Sequence, residues 1–157
     1  APIDNHELIW SEIFPNAKHI YLTRRNKVRQ AVSWWKAIQD ETWHLRAGEK
    51  RAKGDDFYEG KYVFDALMHL FKELMLKECA TQAYFSKHNI VPFTVVYEDF
   101  VADYEATIHR IINFLGIPHN GYTVATPKLQ RTANAHSELW VDRFRKDLNI
   151  KGSWEIL

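Results

Sequence analysis

Arg25 and Ser33 are the residues whose types and spacing most invite a chemical role. A guanidinium offers a rigid fork of donors that grips one phosphate bidentately, and a hydroxyl can add a shorter contact. The residues around them say how they would be held. Ile20, Tyr21 and Leu22 read as a short buried strand that runs out at Thr23. Asn26 can then cap a helix with Val28, Ala31, Val32 and Trp35 on its inward face. Arg25 is thereby expected at the carboxyl end of a strand, with Ser33 about two turns into the next helix. Ligands of open α/β sheets bind at that end of the strands. The same local pattern also occurs as a surface Arg and a helical Ser with no ligand, so it does not stand alone.

Other reactive groups carry less. Glu98 and Asp99 follow an apolar run and could do acid–base work, but capping or ion pairing is the expected role. Cys79 is the single cysteine; it excludes an internal disulfide, fits a reducing, cytoplasmic setting and is expected in the core. The eight histidines are scattered without a ligand spacing such as i, i+4, so no metal is expected.

The elements that must position these groups can be read in order. A short helix is expected over 6–14, stopped by Pro15 and Asn16. After the strand at 20–23, the capped helix is expected to reach about His44. It carries the adjacent Trp34 and Trp35, about 100° apart: one can pack while the other lines a cleft, but both are expected as packing groups. Residues 47–59, with Gly48, Gly54 and six charged residues before Phe57, read as a mobile, exposed loop.

The longest helix is expected over 64–87, with Leu67, Leu70, Phe71, Leu74, Cys79, Ala83 and Tyr84 on a broad apolar face, closed by His88 and a left-handed Asn89. The run 90–97, IVPFTVVY, suits a strand buried on both faces, with Pro92 near its start. Asp103 should cap a helix that buries Ile108, Ile111, Ile112 and Leu115 and ends at Gly116. Residues 119–135 lack periodicity. A last helix over about 137–148 should bury Leu139, Trp140 and Phe144. Two strands joined by long helical crossovers imply a parallel pairing in a helix-rich α/β fold.

The totals set limits. At 157 residues the chain is one domain's worth, and 46% hydrophobic residues suffice for a core. A formal charge of +1, from 21 basic and 20 acidic residues, argues against nucleic acid. No apolar run approaches the roughly 18 residues of a membrane span, and no signal peptide is evident.

Three stretches point to one family. The Arg25–Ser33 spacing resembles the 3′-phosphate motif of sulfotransferases, and VVYEDFVADYEATIHRIINFLGIP resembles their strand, Tyr-Glu-Asp, loop and helix segment. YLTRRNKVRQAVSWWKAIQDETWH and PKLQRTANAHSELWVDRFRKDL look more particularly like the bacterial trehalose 2-sulfotransferase family, in the same order from Leu8 to about Leu148. The resemblance implies an incomplete P-loop-type sulfotransferase fold with a small parallel sheet. It implies transfer of a sulfuryl group from 3′-phosphoadenosine 5′-phosphosulfate to a hydroxyl of a carbohydrate-type acceptor, with Arg25 and Ser33 holding the donor's 3′-phosphate.

One departure bears on activity. Family members begin with a strand, a Gly/Ser/Thr-rich loop and a helix that cradle the 5′-phosphosulfate through backbone N–H groups. None of the six glycines here stands in such a loop, so these residues are expected to lack the segment that should precede His6. The family's catalytic carboxylate belongs to that part, so no catalytic base is assigned and Glu98 does not substitute. The isolated chain is expected to be inactive and, with an open strand edge, to form a dimer or larger assembly. The alternative is a non-catalytic remnant serving as a nucleotide-binding or interaction module.

Overall fold

The computed structural model describes residues 13–118, 121, 123–130 and 132–150. The helix expected over 6–14 falls outside the described residues but for its last two, as does the tail from 151. The elements are β1 (Ile20–Thr23), α1 (Lys27–Asp40), α2 (Phe64–Lys87), β2 (Phe93–Val96), α3 (Tyr97–Ala102), α4 (Tyr104–Leu115) and α5 (Ala135–Ile150), with a 3₁₀ turn at Asp55–Tyr58. This is a helix-rich α/β fold in which β1 and β2 pair in parallel, Ile20 opposite Phe93 and Thr23 opposite Val96. The chain divides into two compact units, Ala1–Thr23 with Ala83–Tyr122, and Arg24–Gln82 with Thr123–Leu157.

The first unit is built on the strand pair, but β1 is not the buried strand expected: Ile20 and Leu22 are exposed and Tyr21 and Thr23 half-buried, because only β2 pairs with it among the described residues. Tyr21 meets the Phe85 ring edge-on at 5.5 Å, and Phe93 packs against Phe114 at 5.2 Å. Lys18 donates from Nζ to the Phe114 carbonyl at 2.7 Å. β2 is shorter than expected and not buried on both faces: only Val95 is buried, and Tyr97 already begins α3. Pro92 has no N–H to extend the ladder, so pairing starts at Phe93, whose N–H reaches the His19 carbonyl at 2.8 Å. Glu98 and Asp99 lie in the first turn of α3, where carboxylates complement the helix dipole. Asp103 precedes α4 and its carbonyl accepts from Thr107 at 3.1 Å, but its carboxylate makes no capping bond. The expected stripe of α4 is only half-buried; Thr107 is its buried residue. Gly116 closes the helix at φ +74°, and Ile117 N–H returns to the Ile112 carbonyl at 3.1 Å.

The second unit holds the core. Val32, Tyr58, Leu67, Trp140, Val141, Phe144 and Leu148 form one buried cluster, with Val28, Trp35, Phe57 and Phe71 packed on it. In α5 the buried positions 137, 140, 141, 144 and 148 follow helical spacing. Leu139, expected inside, falls off that stripe and is 65% exposed. The apolar face of α2 is buried only at Leu67 and Leu70; Cys79, Ala83 and Tyr84 are exposed, so Cys79 is not a core residue. No helix of the described residues is long and apolar enough to cross a membrane.

Candidate functional site

α1 starts where the cap says it should. The Asn26 side chain accepts from Arg29 N–H at 2.9 Å, satisfying one of the donors left open at a helix start. Ala31 and Val32 anchor the inward face, with Val28 and Trp35 half-buried beside them. Trp35 Nε1 donates to the Lys61 carbonyl at 2.9 Å, while Lys77 Nζ stands 5.1 Å from the Trp34 ring centre. Trp35 therefore packs on the core, while Trp34 lies half-buried beside Lys77.

At the helix start lies a shallow groove of about 440 Å³, lined by Arg25, Asn26, Lys27, Val28, Phe71 and Arg145. Arg25, the second residue after β1 in the chain, is exposed. Lys27 pairs with Glu78 at 2.6 Å. Ser33 is not among the lining residues; it is half-buried, seven residues beyond Asn26. Seven residues are nearly two full turns, so Ser33 projects from the same side of α1 as Asn26, about 10 Å further along. Three cationic side chains and a helix start suit an anion. Of these cations the sequence singled out Arg25 alone. Arg145 comes from α5, over a hundred residues away, and no local pattern marked it.

The other end of α1 carries a second polar cluster, and this one is closed. Asp40 accepts from Tyr58 Oη at 2.5 Å, from Thr42 N–H at 3.0 Å and from Arg51. Burial alone would raise the Asp40 carboxyl; the hydrogen bonds from Tyr58, Thr42 and Arg51 outweigh it and hold the group below the usual carboxylate range. Tyr58 is pushed up to about 12, first by burial and then by donating to Asp40. Lys36 is 1% exposed and donates to Asn134 Oδ1 at 2.6 Å and Ser137 Oγ at 3.0 Å. Burial, then the nearby Arg51, lowers its ammonium to about 8, against the opposing pull of Asp55 and Asp40.

This cluster corrects two expectations. α1 stops at Asp40 rather than about His44, because Asp40 is taken up by Thr42, Tyr58 and Arg51 while Glu41 turns left-handed at φ 56°. The segment 47–59 is exposed at most positions, as its charges imply, yet Arg51 and the 1%-exposed Tyr58 tie it to the core. A backbone bridge also joins Arg46 to Leu129, with Ala47 N–H on the Lys128 carbonyl at 2.9 Å. A larger groove of about 610 Å³ in the first unit, with Phe14, Tyr84 and Phe114 among its walls, contains none of the residues singled out from sequence.

Comparison with known proteins places the chain in a family. The trehalose 2-sulfotransferase of Mycobacterium tuberculosis (strain ATCC 35801 / TMC 107 / Erdman) is 27% identical over 128 residues, which is 82% of this chain and 45% of that protein. The trehalose 2-sulfotransferase of Mycolicibacterium smegmatis (strain ATCC 700084 / mc(2)155) is 28% identical over 133 residues, 85% of this chain and 47% of its own. The chain thus spans about half the length of the curated relatives it matches. Residues 2–147 match the Stf0 sulphotransferase family, and the chain belongs to that family.

Proposed function

We propose that this chain supplies the 3′-phosphate half of a sulfotransferase donor site. The donor would be 3′-phosphoadenosine 5′-phosphosulfate, and the reaction transfer of its sulfuryl group to a hydroxyl of a carbohydrate-type acceptor, as the names of the relatives suggest. The observation that carries the reading is the cationic groove at the start of α1, with Arg25 at its rim. Arg25 takes two phosphate oxygens in a charge-assisted fork, and Ser33 donates its hydroxyl to the same group from the same side of α1.

Sulfuryl transfer, like phosphoryl transfer, relies on positioning and on stabilising charge at the leaving 5′-phosphate oxygen. Arg25 and Ser33 serve the other end of the nucleotide and contribute through positioning. They fix the donor without touching the reacting sulfur, and no catalytic base is assigned among the described residues.

Calorimetry tests the reading. Adenosine 3′,5′-bisphosphate should bind at least about ten-fold more tightly than adenosine 5′-monophosphate, since a charge-assisted contact contributes about 1.5–3 kcal/mol. Arg25→Ala should abolish the preference. Equal affinity for the two nucleotides in the unaltered chain contradicts the reading. Incubated with labelled donor and a panel of sugars, these 157 residues alone should give no turnover, because no Gly/Ser/Thr loop among them can cradle the 5′-phosphosulfate.

A second reading, an interaction module that assembles as a dimer or larger, is favoured by the exposed apolar Leu22 of β1 (62% exposed) and Val91 (89%). A clean monomer in sedimentation at tens of micromolar, roughly where modest interfaces persist, would remove it.

A further inference from the structure

We propose that Arg145 is a specificity residue for the donor's 3′-phosphate. This rests on the reading of the Arg25 groove given above and extends it to a residue on a different helix. The groove's named walls are Arg25, Asn26, Lys27, Val28, Phe71 and Arg145, with no carboxylate among them. Its cations are not equivalent. Lys27 is engaged by Glu78 at 2.6 Å, with 14% of its side chain exposed, so part of its charge is neutralised within the protein. Arg145 is only loosely held. Its Nη1 stands 3.7 Å from Asp142 Oδ1, both side chains are about half exposed or more, and a pair of that kind holds little in water.

The fold aims Arg145 at the groove. It follows Phe144, which is fully buried and meets Phe71 at 6.1 Å between ring centres. Phe71 is itself a wall of the groove. Arg145 also lies one turn beyond the buried Val141, so it sits on the border of the buried stripe of α5. The packing of Phe144 on Phe71 therefore fixes the helix that carries Arg145 beside the residues that carry Arg25. Two guanidiniums on one groove suit a terminal phosphate, whose oxygens accept from two planar forks at once, better than a bridging phosphodiester or a neutral hydroxyl. Arg145 accordingly discriminates for a nucleotide bearing the 3′-phosphate over one lacking it.

The test compares Arg145→Gln, Arg145→Lys and Arg25→Ala with the unaltered chain, titrated with adenosine 3′,5′-bisphosphate and adenosine 5′-monophosphate. Arg145→Gln should weaken the bisphosphate about ten-fold and leave the monophosphate unchanged. Arg145→Lys should recover part of the loss, and the thermal midpoint of Arg145→Gln should match the unaltered chain. If Arg145→Gln binds the bisphosphate as the unaltered chain does while Arg25→Ala loses ten-fold, the inference fails and the Arg25 reading stands. If Arg145→Gln weakens both nucleotides equally, Arg145 supplies general charge and is not a reader of the 3′-phosphate. If the unaltered chain does not distinguish the nucleotides, or binds neither at millimolar concentration, the Arg25 reading and this inference fall together.

Discussion

The two ends of α1 use charge in opposite ways. At its start, Arg25 and Arg145 stand at the surface around an open groove. Toward its end, Lys36, Asp40, Arg51 and Tyr58 are buried or nearly so, and their polar heads are taken up by one another and by Asn134 and Ser137. Buried charge is costly unless paired, so the second cluster fastens the segment 47–59 and α5 to α1. Exposed charge around a groove adds little to folding. One helix thus separates a fastening end from the proposed binding end, and substitutions should separate them too.

The largest effect is expected at the fastening end. Asp40→Ala strands the buried Arg51 and Tyr58 and should destabilise the chain by about 3–5 kcal/mol in a urea titration. A loss below about 1 kcal/mol would mean that the cluster does not fasten the fold.

Next comes a pH dependence set by Lys36. Below about pH 8 its ammonium is charged in folded and unfolded chains alike. Between about 8 and the ordinary value of 10.5 the unfolded chain keeps the proton and the folded chain releases it, so stability should rise with pH. Above about 10 Tyr58 works the other way, because its hydroxyl, held up to about 12, keeps its proton longer in the folded chain. Denaturant midpoints should therefore climb in the unaltered chain between about pH 8 and 10. Lys36→Met should remove the climb, and an unchanged slope in that variant would assign it elsewhere.

At the binding end the effects on folding shrink. Arg25→Ala should lose the roughly ten-fold nucleotide preference while shifting stability by no more than about 0.5 kcal/mol, as exposed positions do. A large loss of stability there would erase the distinction between the two ends. Asn26→Ala removes the cap at 2.9 Å and should destabilise by about 1 kcal/mol, measured as the same urea midpoint shift.

What could be read from sequence follows the range of the interactions. The bounds of β1 and α2, the Asn26 cap, the left-handed Asn89 and the Gly116 stop are set by neighbours within a few residues, and each stands where the pattern put it, though β1 is not buried as expected. The parallel pairing followed from the long crossover between the strands. The failures are long-range. Asp40 ends α1 early because Arg51 and Tyr58 come back to it from 11 and 18 residues away. Tyr58 looked like part of a charged loop and is core, because Trp140 and Val32 wait for it on other helices. Cys79 and Tyr84 looked buried because α2 is apolar all along, yet only its first half meets the core. Arg25, singled out by its spacing to Ser33, lines the groove while Ser33 does not, and Arg145 became visible only when α5 brought it there.

The central claim is that the start of α1 holds the donor's 3′-phosphate, and a crystal structure of the chain with adenosine 3′,5′-bisphosphate tests it most directly. The 3′-phosphate oxygens should lie within about 3 Å of the Arg25 guanidinium and the Ser33 hydroxyl, the ordinary range of charge-assisted hydrogen bonds. A nucleotide bound elsewhere, or one whose 3′-phosphate faces solvent with Arg25 and Ser33 unengaged, would contradict the account.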